Sequence, residues 1–270
     1  MTVCIAAICR SVRGTIPALV LCCDERGDRG LVSADDSDKI KWPGPNTSVM
    51  LAGAKNSAEA LYEACLNCIL SYDAEENPDD TRVARLKHEL EECARGRKRA
   101  IVSAHVENTL HMSLAEFNEN GRARFGDAHF QELLAEHRMM NLGAHMLVCT
   151  FSQDNGVIFC VTPDCEALLQ DNYCAIGSGG PIAAAFYVQR PYGDDMPLRQ
   201  CIYRVLEAKV AAEKNAYVGD TTVLEIVTLG RRRKALTEKQ FGYLDKLVQR
   251  RLSSMPKLPG LVGPLEAIED

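Results

Sequence analysis

The first nine residues, Met1-Thr2-Val3-Cys4-Ile5-Ala6-Ala7-Ile8-Cys9, are an apolar run interrupted only by Thr2. The run is far shorter than the roughly 20 residues of a membrane helix. It is rich in β-branched residues and predicts a strand covered on both faces, as between layers of helices. A chain that opens on its most buried strand carries an α-amino group to the edge of its core. Thr2 stands directly behind the initiator methionine, where a small residue permits trimming. Trimming leaves a hydroxyl and an amine on one residue, anchored by a core strand. A hydroxyl nucleophile whose base is its own N-terminal amine is an established catalytic arrangement.

The bulk numbers are compatible with that chemistry and exclude others. A chain of 270 residues with 46% hydrophobic and 25% charged residues has the composition of an ordinary globular protein. A net charge of -6 argues against nucleic acid as a partner, because phosphate binding needs a basic surface. No apolar run is long enough for a membrane helix, and no basic segment precedes the first strand as in a secretory signal. The twelve cysteines fall mostly within or beside apolar strand-like segments. There they act as small hydrophobes, and a reducing, cytoplasmic setting is expected. Cys65 and Cys68 have CxxC spacing but no second ligand pair, and both fall on a helical apolar stripe, so core packing is expected rather than a metal. The histidines at 88, 105, 111, 129 and 137 form no HExxH motif and read as structural or surface residues. No cofactor is implied.

Taken in order, Ala18–Cys23 is a second strand, ending at Asp24, and it reads as a hairpin with the first. Ser48–Gly53 is a third strand. Asn56 with Glu59 predicts a helix N-cap, and Leu61, Cys65, Cys68 and Ile69 give that helix a buried face. A break at Asn77–Asp80 precedes a charged helix over Arg82–Arg95, with Arg95-Gly96-Arg97-Lys98-Arg99 as its solvated end and turn. Ser113–Met140 is helical, with interruptions near Asn120-Gly121 and at Gly126. Strands return at His145–Phe151 and Val157–Val161, joined by a turn whose Asn155-Gly156 is a hairpin signal. Tyr173–Pro181 is glycine-rich but lacks a Walker lysine and GxGxxG spacing, which argues against a nucleotide site. Helices near Ile182–Gln189 and Pro197–Lys214, a strand over Thr221–Leu229, and an amphipathic helix over Glu238–Leu252 follow. An extended tail from Pro256 is expected to lie on its own body or on a neighbouring subunit. Strands grouped apart from helices predict two packed antiparallel sheets with helices outside, not βαβ units.

In this order and spacing the motifs resemble proteasome β-type subunits and their bacterial homologues, within the N-terminal nucleophile (Ntn) hydrolases. Four pieces carry the likeness: Thr2-Val3; the strand ending in Asp24-Glu25-Arg26; Asp38-Lys39-Ile40 followed by Leu51-Ala52-Gly53; and Ala175-Ile176-Gly177-Ser178-Gly179-Gly180. The intervals from Lys39 to Gly53 and from Ser178 to Asn215 equal those of the family. The resemblance implies an α+β fold, a four-layer αββα sandwich, with the proteasome-like domain over residues 1–230 and a helical insertion at about 78–141. Residues 231–270 would form the C-terminal helix and tail.

It also implies a threonine peptidase acting on peptides or unfolded proteins, assembled as a homo-oligomer of rings or stacked rings, with any unfoldase partner unidentified. Thr2 would be the nucleophile, with Lys39 beside it and Asp24 paired to Lys39. Gly53 would donate its N–H to the oxyanion, and Ser178 and Asn215 would complete the network. Leu51 and Lys55 would line the substrate site, Lys55 favouring acidic groups. Asn215 and Val218 stand where the family has an aspartate and a serine, so the implied alternatives are a catalytically inactive assembly subunit and an Ntn amidase acting on a small molecule. Many relatives begin with two threonines, which leaves open whether Met1 or Thr2 takes the nucleophile position.

Overall fold

The computed structural model describes residues 2–10, 16–24, 27–28, 33–34, 39–75, 78–153, 155–189, 192–193, 195–215, 218–230 and 233–254. Its elements begin with strands β1 (Cys4–Arg10), β2 (Pro17–Asp24), β3 (Gly27–Asp28), β4 (Ser33–Ala34), β5 (Ile40–Lys41) and β6 (Ser48–Gly53). Four helices follow, α1 (Lys55–Asp73), α2 (Asp80–Leu110), α3 (Leu114–Phe125) and α4 (Asp127–Met139). Strands β7 (Ala144–Phe151), β8 (Gly156–Val161), β9 (Ala167–Gln170) and β10 (Tyr173–Ile176) lead to helices α5 (Gly180–Val188) and α6 (Leu198–Ala212). The chain then forms β11 (Thr222–Thr228), β12 (Lys234–Ala235) and α7 (Glu238–Ser254). Residues 1–235 make one compact unit, and residues 236–270, with α7, make a second.

Two five-stranded antiparallel sheets build the first unit, ordered β10-β1-β2-β11-β12 and β5-β6-β7-β8-β9. The apolar opening run is explained by its position. Cys4, Ala6 and Ile8 of β1 point into the core between the sheets, where they meet Leu147, Cys149 and Ile158. Ile5, Ala7 and Cys9 alternate onto the opposite face and are equally buried, against the layer formed by α5 and α6. The second sheet is covered outside by α1 and α2, whose Leu61, Cys65, Ile69, Leu86 and Leu90 pack on Val49, Val148 and Phe159. The result is the expected four-layer αββα sandwich.

The hairpins follow their turn chemistry. β1 and β2 pair with Cys4 opposite Cys23, and Gly156 opens β8 opposite Phe151 after the Asn155-Gly156 turn. All twelve cysteines are free thiols, and Cys65 is fully buried in the α1 core while Cys68 is half-buried. No described helix is long and apolar enough to cross a membrane.

Three local expectations are corrected. Helix α1 is not capped by Asn56; it starts at Lys55 after Ala54, with no side-chain cap. The run Arg95–Arg99 is not a helix end, because α2 continues through Gly96 to Leu110. One interior glycine costs only about 1 kcal/mol, and the helix is held by buried Val83, Leu86, Leu90 and Ala94 on one side of it and Val106 on the other. Likewise α3 runs unbroken through Gly121, and the break comes at Gly126. A Cβ on Gly121 would stand 2.8 Å from the Phe130 ring, so this glycine serves close packing with α4. Strand β9 was not anticipated. Its short sequence, Ala-Leu-Leu-Gln, leaves Leu168 and Leu169 exposed, so no alternation marks it. The connection after Arg10, residues 25–26 and 35–38, and the tail from Pro256 lie outside the described residues.

Candidate active site

Asp24 closes β2 with a side chain fully withdrawn from solvent. A buried carboxylate is tolerated only when its oxygens find donors, and four donors converge here. Oδ1 accepts from the Thr2 hydroxyl in a short hydrogen bond, from the Val3 backbone N–H at 3.0 Å and from the Lys39 ammonium at 2.8 Å. Oδ2 accepts from the Gly219 N–H at 2.9 Å. Thr2, Asp24 and Lys39 are therefore one hydrogen-bonded group, with hydroxyl and ammonium sharing a single acceptor atom. Thr2 is 5% exposed and Lys39 8%.

Local structure explains the convergence. Thr2 lies just ahead of β1, beside the end of β2, and the Asp24 N–H bonds the Val3 carbonyl at 3.3 Å. Lys39 directly precedes β5, and its carbonyl takes the Leu51 N–H at 3.1 Å. Leu51 itself is buried, and its own carbonyl accepts from the Cys4 thiol at 3.4 Å. Burial, with Asp24 adding to it against the opposing pull of Lys39, pushes that thiol up to about 12. Cys4 is thus a packing group and not a rival nucleophile.

The glycine-rich segment behind Thr2 holds its main chain. The Thr2 carbonyl accepts from the Gly179 N–H at 3.2 Å and from the Ser178 hydroxyl at 3.3 Å. Gly177 has φ +88°, and a Cβ there would fall 2.2 Å from the Thr2 carbonyl oxygen, so only glycine fits. Asn215 Nδ2 donates to the Ser178 carbonyl at 2.9 Å and so supports the segment from behind. Val218 presents methyl groups toward Gly179, where an added Cβ would stand 2.7 Å from Val218 Cγ2.

Gly53 and Lys55 are placed differently. Both are exposed, and no described hydrogen bond joins either to Thr2. Gly53 ends β6 with φ +126° and backs onto Gly143, whose carbonyl oxygen would be 2.5 Å from an added Cβ. The uncapped start of α1 follows at once, so first-turn N–H groups without a side-chain acceptor adjoin Gly53 and carry the positive end of the helix dipole. This is an environment that favours negative charge.

Two contributors were missed in the sequence. Gly219 acts through its backbone N–H, for which no sequence signal exists. Lys209, fully buried on α6, donates to the Gly219 carbonyl at 3.0 Å, the Asp220 carbonyl at 2.9 Å, and Glu213. It pins the loop that supplies the Gly219 donor. A buried lysine inside a helical pattern otherwise reads as a surface residue. Among the described residues no group of His, Cys, Asp or Glu could hold a metal ion.

Comparison with known proteins bears on the half of the site that follows α2. A family model described as a proteasome subunit matches residues 100–227. That span holds Ser178, Asn215, Val218 and Gly219, while Thr2, Asp24, Lys39 and Gly53 precede it. No curated protein matches the chain.

Proposed function

We propose that this chain is a proteasome-like threonine peptidase whose nucleophile is Thr2, uncovered by removal of Met1; the match of a proteasome-subunit family model to residues 100–227 supports the family-level part of that reading. At family level it is a proteasome-like hydrolase of Ntn type. The finer reading rests on one observation: the Thr2 hydroxyl and the Lys39 ammonium meet on the same oxygen of buried Asp24.

Loss of Met1 converts the Thr2 amide nitrogen into a primary amine. An α-amine titrates near 7.7–8.0 in reference peptides, so much of it is neutral close to physiological pH. The neutral amine takes the hydroxyl proton, directly or through a water, as Oγ1 attacks the substrate carbonyl carbon. The nearby Lys39 charge favours the neutral amine and the developing alkoxide. Asp24 holds Lys39 and the Val3 N–H, fixing both relative to Oγ1. Negative charge on the substrate oxygen is met by the Gly53 N–H, a type of contact worth about 3–4 kcal/mol in other hydrolases. The ammonium formed on Thr2 returns its proton to the leaving nitrogen as the C–N bond breaks. Water then cleaves the Thr2 ester and restores the hydroxyl. Peptides or unfolded proteins are the substrates, homo-oligomeric rings the working form, and the Lys55 side chain selects for acidic groups nearby.

A second reading, a catalytically silent assembly subunit, is favoured by the near-complete burial of Thr2 and by Val218, which brings methyl groups where the family has a hydroxyl. One experiment separates the two. Purified protein is treated with an electrophile directed at N-terminal threonine, and its peptides are mapped by mass spectrometry alongside turnover of a peptide substrate. The peptidase reading expects an adduct on Thr2 and loss of turnover in Thr2→Ala. No adduct, together with turnover indifferent to Thr2→Ala, would leave the silent subunit.

A further inference from the structure

The basic run Arg95–Arg99 has no part in the Thr2 chemistry, yet its place inside α2 gives it a geometry of its own. Lys98 and Arg99 stand four and three residues before Val102, which places both beside it on one helical face. They front a cavity of about 480 Å³ whose other walls are α3, α4 and the turn at Asp164-Cys165. From α4, Leu134 lines it together with His137 and Arg138, three and four residues further on. The floor is apolar, with Val102, Leu134 and Leu114, while the rim carries Lys98, Arg99 and Arg138.

The charges on this rim are uncompensated. Arg95, the remaining cation, is engaged by Glu91 at 3.1 Å and Glu92 at 2.5 Å. Lys98, Arg99 and Arg138 enter no ion pair among the described residues; Lys98 donates only to the Arg138 carbonyl, at 3.5 Å. Asp164 is the one acid on the lining, set against three unpaired cations. His137, buried to 7% exposure, lines the same space, and its Nε2 has no hydrogen-bond partner. A buried ring nitrogen without a partner is destabilising, a deficit that a bound polar group would remove. Apolar floor, cationic rim and one unsatisfied nitrogen are the features of a small-molecule site.

The geometry points to a binding site, formed by α2, α3, α4 and the Asp164-Cys165 turn, for a small organic anion: an acidic head group on an apolar body. The head lies among Lys98, Arg99 and Arg138, and the body covers Val102, Leu114 and Leu134. Carboxylates and phosphate monoesters share this chemistry.

The test uses the full chain and four probes, octanoate, octyl phosphate, octanol and inorganic phosphate, followed through the histidine ring resonances. Saturable one-to-one shifts of the His137 signals are expected with the octyl anions, and the stronger of the two identifies the head group. Octanol and inorganic phosphate should each bind at least about tenfold more weakly, the order of one charge-assisted contact. Charge reversal at the exposed Arg138, Arg138→Glu, should weaken the octyl anions by about tenfold. Val102→Trp, which fills the floor, should abolish their binding if charge reversal disturbs folding. Absence of saturable binding, octanol binding as well as octanoate, inorganic phosphate matching octyl phosphate, or retained binding in Val102→Trp would each overturn the inference.

Discussion

Lys39 Nζ lies 2.8 Å from Asp24 Oδ1, and both side chains are shut away from water. Such a pair is coupled, because removing one member takes the opposite charge at 2.8 Å away from the other inside the protein, at a cost of about 3–5 kcal/mol. Asp24→Ala and Lys39→Met should each lower the free energy of unfolding by that order in urea titrations. The double variant should recover part of the loss, since it removes both charges together. Additive losses in the double variant would argue against a coupled pair.

Gly177 should tolerate no side chain. At φ +88° it sits against the Thr2 carbonyl oxygen, and an added Cβ would be 2.2 Å away. Gly177→Ala must displace the segment that also carries the Ser178 and Gly179 donors to Thr2. Peptidase turnover should fall by at least about a hundredfold, the scale set by ångström misplacement of a nucleophile. The comparison is Gly230→Ala, which also has positive φ but meets nothing within 4 Å; its turnover should stay close to that of the parent.

Lys209 is a positioning residue for the Gly219 loop. Lys209→Met removes the donor to the Gly219 and Asp220 carbonyls and breaks the ion pair with Glu213. Faster amide exchange at Gly219 is expected, with kcat reduced more than KM is raised. A merely structural role would lower thermal stability while leaving kcat per folded molecule unchanged.

Acid should destabilise the fold through two histidines. Burial pushes His137 down from the ordinary value of 6.5, with His105 adding to it against Glu136. Burial likewise pushes His145 down, against Asp164. Both rings are held neutral in the folded state, so below about pH 6.5 the unfolded chain binds more protons. Stability is full above that value and is lost as pH falls toward the lowered folded values. Denaturant midpoints measured between pH 7.5 and 5.0 should decline, and His137→Gln should shrink the decline.

Much of this architecture is legible from residues alone, for reasons that also mark where legibility stops. A strand buried on both faces announces itself as an unbroken apolar run, so β1 and β2 can be read directly. The polar residues at their ends, Thr2 and Asp24, stand out against that background, and Lys39 stands out immediately before the apolar Ile40. Gly219 contributes only a backbone N–H, which every residue but proline carries, so nothing in its identity flags it. Lys209 looks like a solvated helix residue because its partners are carbonyls of a loop that folds back from beyond the helix. Helix α2 continues through Gly96 because its packing outweighs one residue's intrinsic preference. The cavity beside it exists only once three helices are assembled.

Peptidase chemistry at Thr2 requires an unblocked Thr2 amine in the working protein, and the intact mass of purified, peptidase-active material measures this directly. A mass lower by one methionine than that of the full 270-residue chain, with Thr2 as the first residue by N-terminal sequencing, is the predicted result. Undiminished turnover from molecules that all retain Met1 would contradict it.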